Sequence, residues 1–251
     1  MDITQTPARE TISVHDYVRE TTKLISHLPH DWELHSAVLL TPAEERTMVR
    51  EPVHAVPSSM AKRIRRLRVW VAPYIGCFES GDVVCFSKPA GETHSAVWVE
   101  SDDRTHLILS CRELDAHDTG FELLASIAQL VHSNLTAAEL ERYARLLKEE
   151  LQQEVRGEID KDALSAKEAY LGSRGSSTQK AGAFEHYRDV SMVSTMAEYM
   201  HGLWHDVQIR TGPEHLPVVQ LRKRMVLLAE MFPPNPGYNL FARELEASND
   251  S

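Results

Sequence analysis

The stretch Leu67-Arg68-Val69-Trp70-Val71-Ala72-Pro73 decides the fold class, because the residue pattern changes there from helical to extended. Its β-branched and aromatic residues follow a loose alternation that is typical of a β-strand. Three similar runs follow at residues 82–86, 95–99 and 105–109, and short polar turns separate them. Closely spaced strands with such short connections predict an antiparallel meander of about four strands over residues 67–110.

The segments on both sides of this sheet predict helices. Residues 1–66 carry apolar side chains largely at three- to four-residue intervals, and residues 119–232 contain several helix-capping signals and amphipathic stretches. The sheet part spans residues 67–118. We therefore expect one mainly helical α+β domain over residues 1–251, in which the C-terminal helices cover the meander.

One segment has the composition of a loop. Residues 172–182 contain three glycines, together with Ser173, Ser176, Ser177 and Thr178. Such a segment has too little apolar surface to offset the entropy that ordering it would cost. We therefore predict a flexible loop that precedes a long helix over residues 184–209.

The composition excludes several classes of protein. In a chain of 251 residues, 42% hydrophobic and 25% charged residues are ordinary globular usage, which excludes fibrous and disordered chains. No apolar run approaches the roughly 18 residues that a membrane helix needs, and no secretory signal pattern is visible. Cys77, Cys85 and Cys111 cannot form a closed disulfide set. We therefore expect a cytoplasmic protein without a membrane partner.

The charge of the chain makes nucleic acid an unlikely partner. Its 27 Lys and Arg against 37 Asp and Glu give a net charge of -10, which as a whole repels phosphate. Residues 62–68 do hold five cations, but the aromatic residues that would stack on bases are not interleaved with them. We expect this basic run to be a solvated helix end. The alternative is a patch that meets an acidic partner or an acidic face of the chain itself.

Histidine is the residue type that most suggests chemistry, since the chain has 13 of them. His201 and His205 are four residues apart on the helix predicted over 184–209, and Glu198 precedes them by three. This spacing places all three side chains on one helix face, as helical zinc sites require. The pattern predicts a divalent metal site, zinc first, if a second layer covers that face. The alternative is a solvated polar face.

Asp115 and His117 form a second candidate metal site, because they follow directly after the last predicted strand. Loops that leave strand ends often carry ligands and catalytic groups. Cys111 lies just upstream and would allow a Cys–His pair or a mixed metal site. The alternative is that this segment only caps a helix, through Asp118 and Thr119.

Ala128-Gln129-Leu130-Val131-His132 resembles the His-Glu-x-x-His helix of the zinc metallopeptidases, with the first His and the Glu missing. In that family a later helix supplies a glutamate ligand, and Ala197-Glu198-Tyr199-Met200 is similar to such a segment. Ordinary zincin hydrolysis needs the missing imidazole and the missing general base. The resemblance therefore implies a degenerate scaffold without peptidase activity.

The motifs that the chain lacks guide the expected function. It has no phosphate-binding loop, no Gly-x-Ser-x-Gly elbow and no Cys-x-x-Cys, which argues against nucleotide enzymes, serine hydrolases and zinc fingers. We therefore expect a non-catalytic binding or scaffold protein, on the degenerate zincin-like frame that the resemblance implies. The alternative is a metal-dependent hydrolase that uses Glu198, His201 and His205.

Overall fold

A computed structural model shows that the chain combines helices with two β-sheets, which confirms the predicted α+β class. It describes residues 11–20, 24–79, 81–205, 207, 210 and 212–241. The chain divides into two compact units. The first comprises Met1–Arg50 and Arg65–Leu123, and the second comprises Glu51–Ile64 and Leu124–Ser251.

The larger sheet of the first unit has five strands and is mixed. Its strands are β2 (Leu24–His27), β3 (Glu33–Ser36), β4 (Leu67–Ala72), β7 (Ala96–Ser101) and β8 (Arg104–Ser110). Their spatial order is β2-β3-β4-β8-β7. Strand β4 is parallel to both of its neighbours, whereas β2 pairs with β3 and β7 pairs with β8 in the antiparallel sense.

The smaller sheet is antiparallel and has the order β1-β6-β5. Its strands are β1 (Thr11–Ser13), β5 (Tyr74–Phe78) and β6 (Gly81–Cys85). Strands β5 and β6 form a hairpin, and Gly81 at its tip has φ +110°, a backbone conformation that favours glycine.

The predicted meander was wrong in its pairing. Strands lie close to all four predicted runs, but they belong to two sheets, and the first run pairs with the fourth in parallel. Strand β5 lies directly after Pro73, where the sequence analysis predicts no strand. Parallel pairing of β4 with β8 is sterically allowed because residues 73–103 lie between them and form the crossover.

The N-terminal part is not purely helical, as the sequence analysis expects for residues 1–66. Its helices are α1 (Val14–Glu20), α2 (Pro42–Glu45), α3 (Glu51–Ala55) and α4 (Ser58–Ala61), with a 3₁₀ turn at Pro29–Asp31 and a π turn at Arg46–Arg50. Strands β2 and β3 lie among them. Short apolar runs are compatible with either a helix or a strand. Residues 33–36 form a strand because they pair with β4. Residues 1–10 and 21–23 lie outside the described residues.

The C-terminal half forms the longer helices, and most of their starts follow the sequence signals. They are α5 (Ala116–His132), α6 (Ala137–Gln152), α7 (Lys161–Gly172), α8 (Ser177–Trp204) and α9 (Val218–Met231). The predicted caps Thr136 and Asp160 each accept a hydrogen bond from the backbone N–H three residues later. Within the described part of the chain, no helix has the length and apolar character that crossing a bilayer requires.

The predicted flexible loop over residues 172–182 was wrong. Helix α7 includes Gly172 and helix α8 begins at Ser177, so only residues 173–176 connect them. The Ser176 hydroxyl accepts from the Gln179 N–H at 3.4 Å, and the Gln179 side chain accepts from the Ser176 N–H at 2.9 Å. This capping box starts the helix despite the Gly- and Ser-rich composition. The predicted end of this helix at residue 209 lies outside the described residues.

Helix α1 covers one face of the larger sheet. Its Tyr17 meets the Trp70 ring edge-on with centroids 5.7 Å apart, and the Tyr17 hydroxyl donates to the Val71 carbonyl at 3.0 Å. Val14 and Val18 complete the same buried cluster, which includes Ile108. The cover on this face therefore comes from an N-terminal helix, whereas the sequence analysis expects C-terminal helices.

We expect Ser176→Ala to lower the free energy of unfolding by about 1 kcal/mol, because the substitution removes a helix cap. Trypsin should also cleave faster at Lys180 in this variant, since the first turn of α8 frays. Ser177→Ala is the matched control and should change stability by less than about 0.5 kcal/mol. Urea denaturation and limited proteolysis measure both effects, and equal stability of the two variants would contradict the capping role.

Candidate functional site

Three neighbouring strands bring polar side chains to one level of the larger sheet. Glu33 on β3 is the register partner of Arg68 on β4, and Arg68 is the partner of His106 on β8. Register partners point to the same face of a sheet, so these three side chains form a row. His35 and Trp70 are partners at the next level of the same face.

Glu33 is the acidic centre of this row. Its Oε2 accepts from Arg68 Nε at 2.5 Å and lies 3.3 Å from His35 Nε2, and its Oε1 accepts from Arg104 at 3.3 Å. Burial raises the pKa of Glu33, but the hydrogen bonds from His35 and Arg68 and the charges of the two arginines outweigh burial and lower the pKa to about 2. Glu33 is therefore a permanent anion at neutral pH.

Trp70 and His106 form a buried hydrogen-bonded pair. The indole N–H of Trp70 donates to Nδ1 of His106 at 3.1 Å. Because Nδ1 accepts, the proton of the neutral imidazole is on Nε2. Burial lowers the pKa of His106 and the charge of Arg68 lowers it further, while the nearby Ser101 backbone acts in the opposite direction. His106 is therefore predominantly neutral at pH 7, and Trp70 is also stacked on His35 with centroids 4.2 Å apart.

A pocket of about 450 Å³ opens beside this row. It is lined by Val18, Arg19, His35, Arg68, Trp70, Ser101, Asp102 and His106. Arg19 is exposed near the end of α1, and its guanidinium group makes no ion pair or hydrogen bond with any residue that the structure describes. The lining thus presents two guanidinium groups against one carboxylate, that of Asp102. The sequence analysis missed this site, because parallel pairing assembles it from distant segments.

The second unit contains a buried ion network that the sequence analysis also missed. Arg224 on α9 is fully buried and donates to the Glu150 carboxylate at 2.6 Å and to the Glu158 carboxylate at 2.7 Å. The ammonium group of Lys167 lies 3.5 Å from the Glu158 carboxylate, and the hydroxyl of Tyr187 donates to the same carboxylate. Two cations thus balance two anions. A usable signal was the place of Arg224 between Leu221 and Leu228, on the apolar stripe of its helix.

The network keeps Glu158 ionised. Burial raises the pKa of Glu158, but the charge and hydrogen bonds of Arg224 lower it by more, with help from Tyr187 and Lys167. All three guanidinium nitrogens of Arg224 donate to network members. With its donors used internally, this network acts as a structural element of the unit.

The structure places Glu198 and His201 on a buried face of α8, with 7% and 4% of their surface exposed. The face is therefore not the solvated one that the alternative interpretation supposes. Glu198 Oε2 lies 3.9 Å from His201 Nδ1. His205 follows the end of α8 and is exposed, with its ring centroid 5.8 Å from that of His201. Among the described residues these three do not form a set tight enough to share one ion. Their metal site stays a prediction.

Asp115 and His117 lie close together and are joined by Asp118, with ligand atoms all within 4.8 Å. Asp115 accepts from the Asp118 N–H at 2.8 Å, so it caps the start of α5, the role that the capping alternative gives to Asp118 and Thr119. His117 Nδ1 lies 3.2 Å from Asp118 Oδ1. Capping explains why this acidic cluster exists, and its use as a metal site stays a prediction.

The basic run over residues 62–68 starts at a helix end, where Lys62 is the C-cap of α4, but it extends past that end. It begins after Ala61, the last residue of α4, and it continues into β4. Arg63 pairs with Glu139 at 2.7 Å, Arg65 pairs with Asp103 at 3.4 Å, and Arg68 pairs with Glu33. Three of the five cations thus meet acidic side chains of the chain itself. An acidic partner for the rest of the run stays a prediction.

His132, which carries the resemblance to the zinc metallopeptidases, lies at the end of α5. Its Nε2 is 3.3 Å from Asp189 on α8. Within the part of the chain that the structure describes, His132 and Glu198 do not belong to a common set of metal ligands. The zincin-like frame therefore rests on the sequence resemblance alone.

Comparisons with known proteins add no assignment. No protein-family model matches the chain, and comparisons with curated proteins and with solved structures give no match.

We expect Glu33→Gln to lower the free energy of unfolding at pH 7 by about 1–3 kcal/mol. The pKa of Glu33 is lower in the folded chain than in the unfolded chain. Its contribution to the free energy of unfolding is therefore fully present at pH values above the ordinary pKa of a glutamate, and it is lost as the pH falls toward about 2. Urea denaturation as a function of pH should therefore show the wild-type and variant curves converging at low pH. The exposed Glu79→Gln variant is the control. Parallel curves for wild type and Glu33→Gln would contradict the assignment.

Proposed function

We propose that the protein is a non-catalytic binding protein whose first unit takes a small oxyanion, a carboxylate or phosphate group, in the pocket beside Trp70. The observation that carries the proposal is the guanidinium group of Arg19. It lines the pocket and has no acidic partner among the residues that the structure describes. A cation that no described acidic side chain neutralises is available for an external anion.

The donors of the pocket suit an oxyanion. The planar fork of arginine matches the geometry of carboxylate and phosphate groups. Arg68 uses its Nε for Glu33, and within the described residues its two terminal nitrogens make no hydrogen bond. Arg19 and Arg68 therefore offer several N–H groups to one ligand, and the anion would replace water at them.

The base of the pocket is held in place before any ligand arrives. Glu33 fixes Arg68, and the hydrogen bond from Trp70 fixes the ring of His106. Donors that are already ordered lose little side-chain entropy when a ligand binds, so more of the interaction energy appears as affinity. Three free thiols, at Cys77, Cys85 and Cys111, support a cytoplasmic location as part of the same proposal.

We expect Arg19→Gln to raise the dissociation constant for inorganic phosphate or succinate roughly tenfold, since losing one charge-assisted hydrogen bond costs about 1.4 kcal/mol or more. Isothermal titration calorimetry of the full chain measures the constant for each anion. Arg66→Gln is the matched control, because Arg66 is exposed and does not line the pocket. If the two variants bind equally well, or if neither anion binds the wild type, the proposal is wrong.

A second candidate function is a metal-dependent hydrolase built on Glu198, His201 and His205, on the zincin-like frame that the sequence resemblance implies. It is favoured by the burial of Glu198 and His201 on one covered face of α8. Imidazole and carboxylate ligands suit zinc, which would activate a water for hydrolysis. His201 supplies the central ligand, and His205 would need to turn toward it.

For this candidate we expect protein purified without a histidine tag to contain stoichiometric zinc that His205→Ala loses. Elemental analysis measures the zinc content, and Trp204→Phe serves as a neighbouring control that removes no proposed ligand. An equal zinc content in the wild type and in His205→Ala would eliminate the hydrolase candidate, because zinc at any other site is the same in both proteins.

A further inference from the structure

The smaller sheet brings a thiol, a carboxylate and an imidazole together. Cys77 on β5 and Asp82 on β6 are register partners in the hairpin. The segment at residues 92–94 runs along the other side of β5. There the Cys77 N–H donates to the Glu92 carbonyl, and the His94 N–H donates to the Ile75 carbonyl, both at 2.9 Å.

The pleat of the sheet places these three side chains on one face. Cys77 and Asp82 face the same way because they are partners, and Cys77 faces the same way as Ile75, two residues earlier. His94 lies opposite Ile75, because Thr93 bridges to Gly76, and it therefore shares their face. Asp82 Oδ1 is 3.4 Å from His94 Nε2, and the ligand atoms of all three residues lie within 4.8 Å of one another.

We propose that Cys77, Asp82 and His94 bind a zinc ion. Thiolate, imidazole and carboxylate are the three ligand types that zinc takes in proteins, at about 2.3, 2.0 and 2.0–2.2 Å. Ligand atoms already this close need only small side-chain movements to surround one ion. Magnesium and calcium take oxygen ligands, so the thiol and the imidazole select against both.

The partial exposure of the site determines what kind of zinc site it is. All three ligands are partly exposed, so solvent reaches the ion. Three protein ligands leave the fourth tetrahedral position to water or to an external ligand, as in open zinc sites. On binding, the Cys77 thiol forms a bond from sulfur to zinc and releases its proton to solvent, so affinity rises with pH.

This set differs from the two metal candidates on the helices. Its ligands come from three backbone segments that sheet hydrogen bonds hold side by side, and it includes a thiol. The Asp115 cluster lies in one helix start, where the acidic group already has a capping role. Zinc at the hairpin would also tie β5 and β6 to the segment at residues 92–94, and it is independent of the oxyanion pocket.

Metal titration of the full chain, purified without a histidine tag and stripped with a chelator, tests this proposal. One equivalent of zinc should bind by calorimetry, with proton release. Cobalt should give a tetrahedral spectrum with a thiolate-to-metal charge-transfer band. Cys77→Ser and His94→Ala should each weaken zinc binding at least tenfold and remove or shift the cobalt bands. Asp82→Asn, which keeps the side-chain shape, should also weaken binding.

Two control variants separate this site from the other candidates. His117→Ala and His205→Ala should keep the full affinity and the charge-transfer band, because both histidines lie outside the hairpin. Circular dichroism in chelator should show that every variant keeps the wild-type fold. The proposal is overturned if the wild type binds no zinc, if Cys77→Ser and His94→Ala bind as tightly as the wild type, or if His117→Ala or His205→Ala is the variant that loses the metal.

Discussion

A charge removed from water must meet an opposite charge or ordered donors, and this constraint shapes both units. In the second unit, fully buried Arg224 is compatible with folding because Glu150 and Glu158 surround its guanidinium group. Removing either carboxylate would leave an uncompensated positive charge in an interior without water. The packing of α6 and α9 is therefore tied to the ion pair between Glu150 and Arg224. In the first unit the partly buried Glu33 is the one anion that pairs with both Arg68 and Arg104.

The two units differ in the net charge that remains after their buried and partly buried ion pairs have formed. Around Arg224 the cations and anions cancel and every guanidinium nitrogen is used, so the interior is closed. In the row on the larger sheet, one carboxylate serves two arginines, and a third arginine, Arg19, stands beside the pocket. The excess is positive and faces solvent. Parallel pairing assembles the row, because it sets Glu33 beside Arg68 in register and Arg68 beside His106.

Local patterns predicted much of the helical part, because capping acts within a few residues. Thr136 and Asp160 cap α6 and α7 as their sequence signals indicate, and the Ser176 capping box was equally visible within a segment whose composition suggested a loop. Alternation located β4 and β8, but alternation does not say which strands pair, since that depends on contacts between distant segments. Both candidate sites of the first unit depend on such pairing, so the sequence showed their residues without showing that they meet. Glu198 and His201 were found from helical spacing, while their burial depends on packing that spacing does not encode.

The net charge of -10 means that an oxyanion would approach Arg19 across a surface that repels it on average. At physiological ionic strength the Debye length is about 8 Å, so distant acidic side chains are largely screened and the field at the pocket is set by its own lining. At lower salt concentration, the repulsion between the acidic surface and the anion acts over a longer distance and opposes the approach of the anion. The attraction of the bound anion to Arg19 and Arg68 also becomes stronger. The first effect acts on the association rate and the second on the dissociation rate. In the proposed function, a positive pocket on an acidic chain would discriminate by local geometry, because only a small anion that enters the pocket can contact both guanidinium groups.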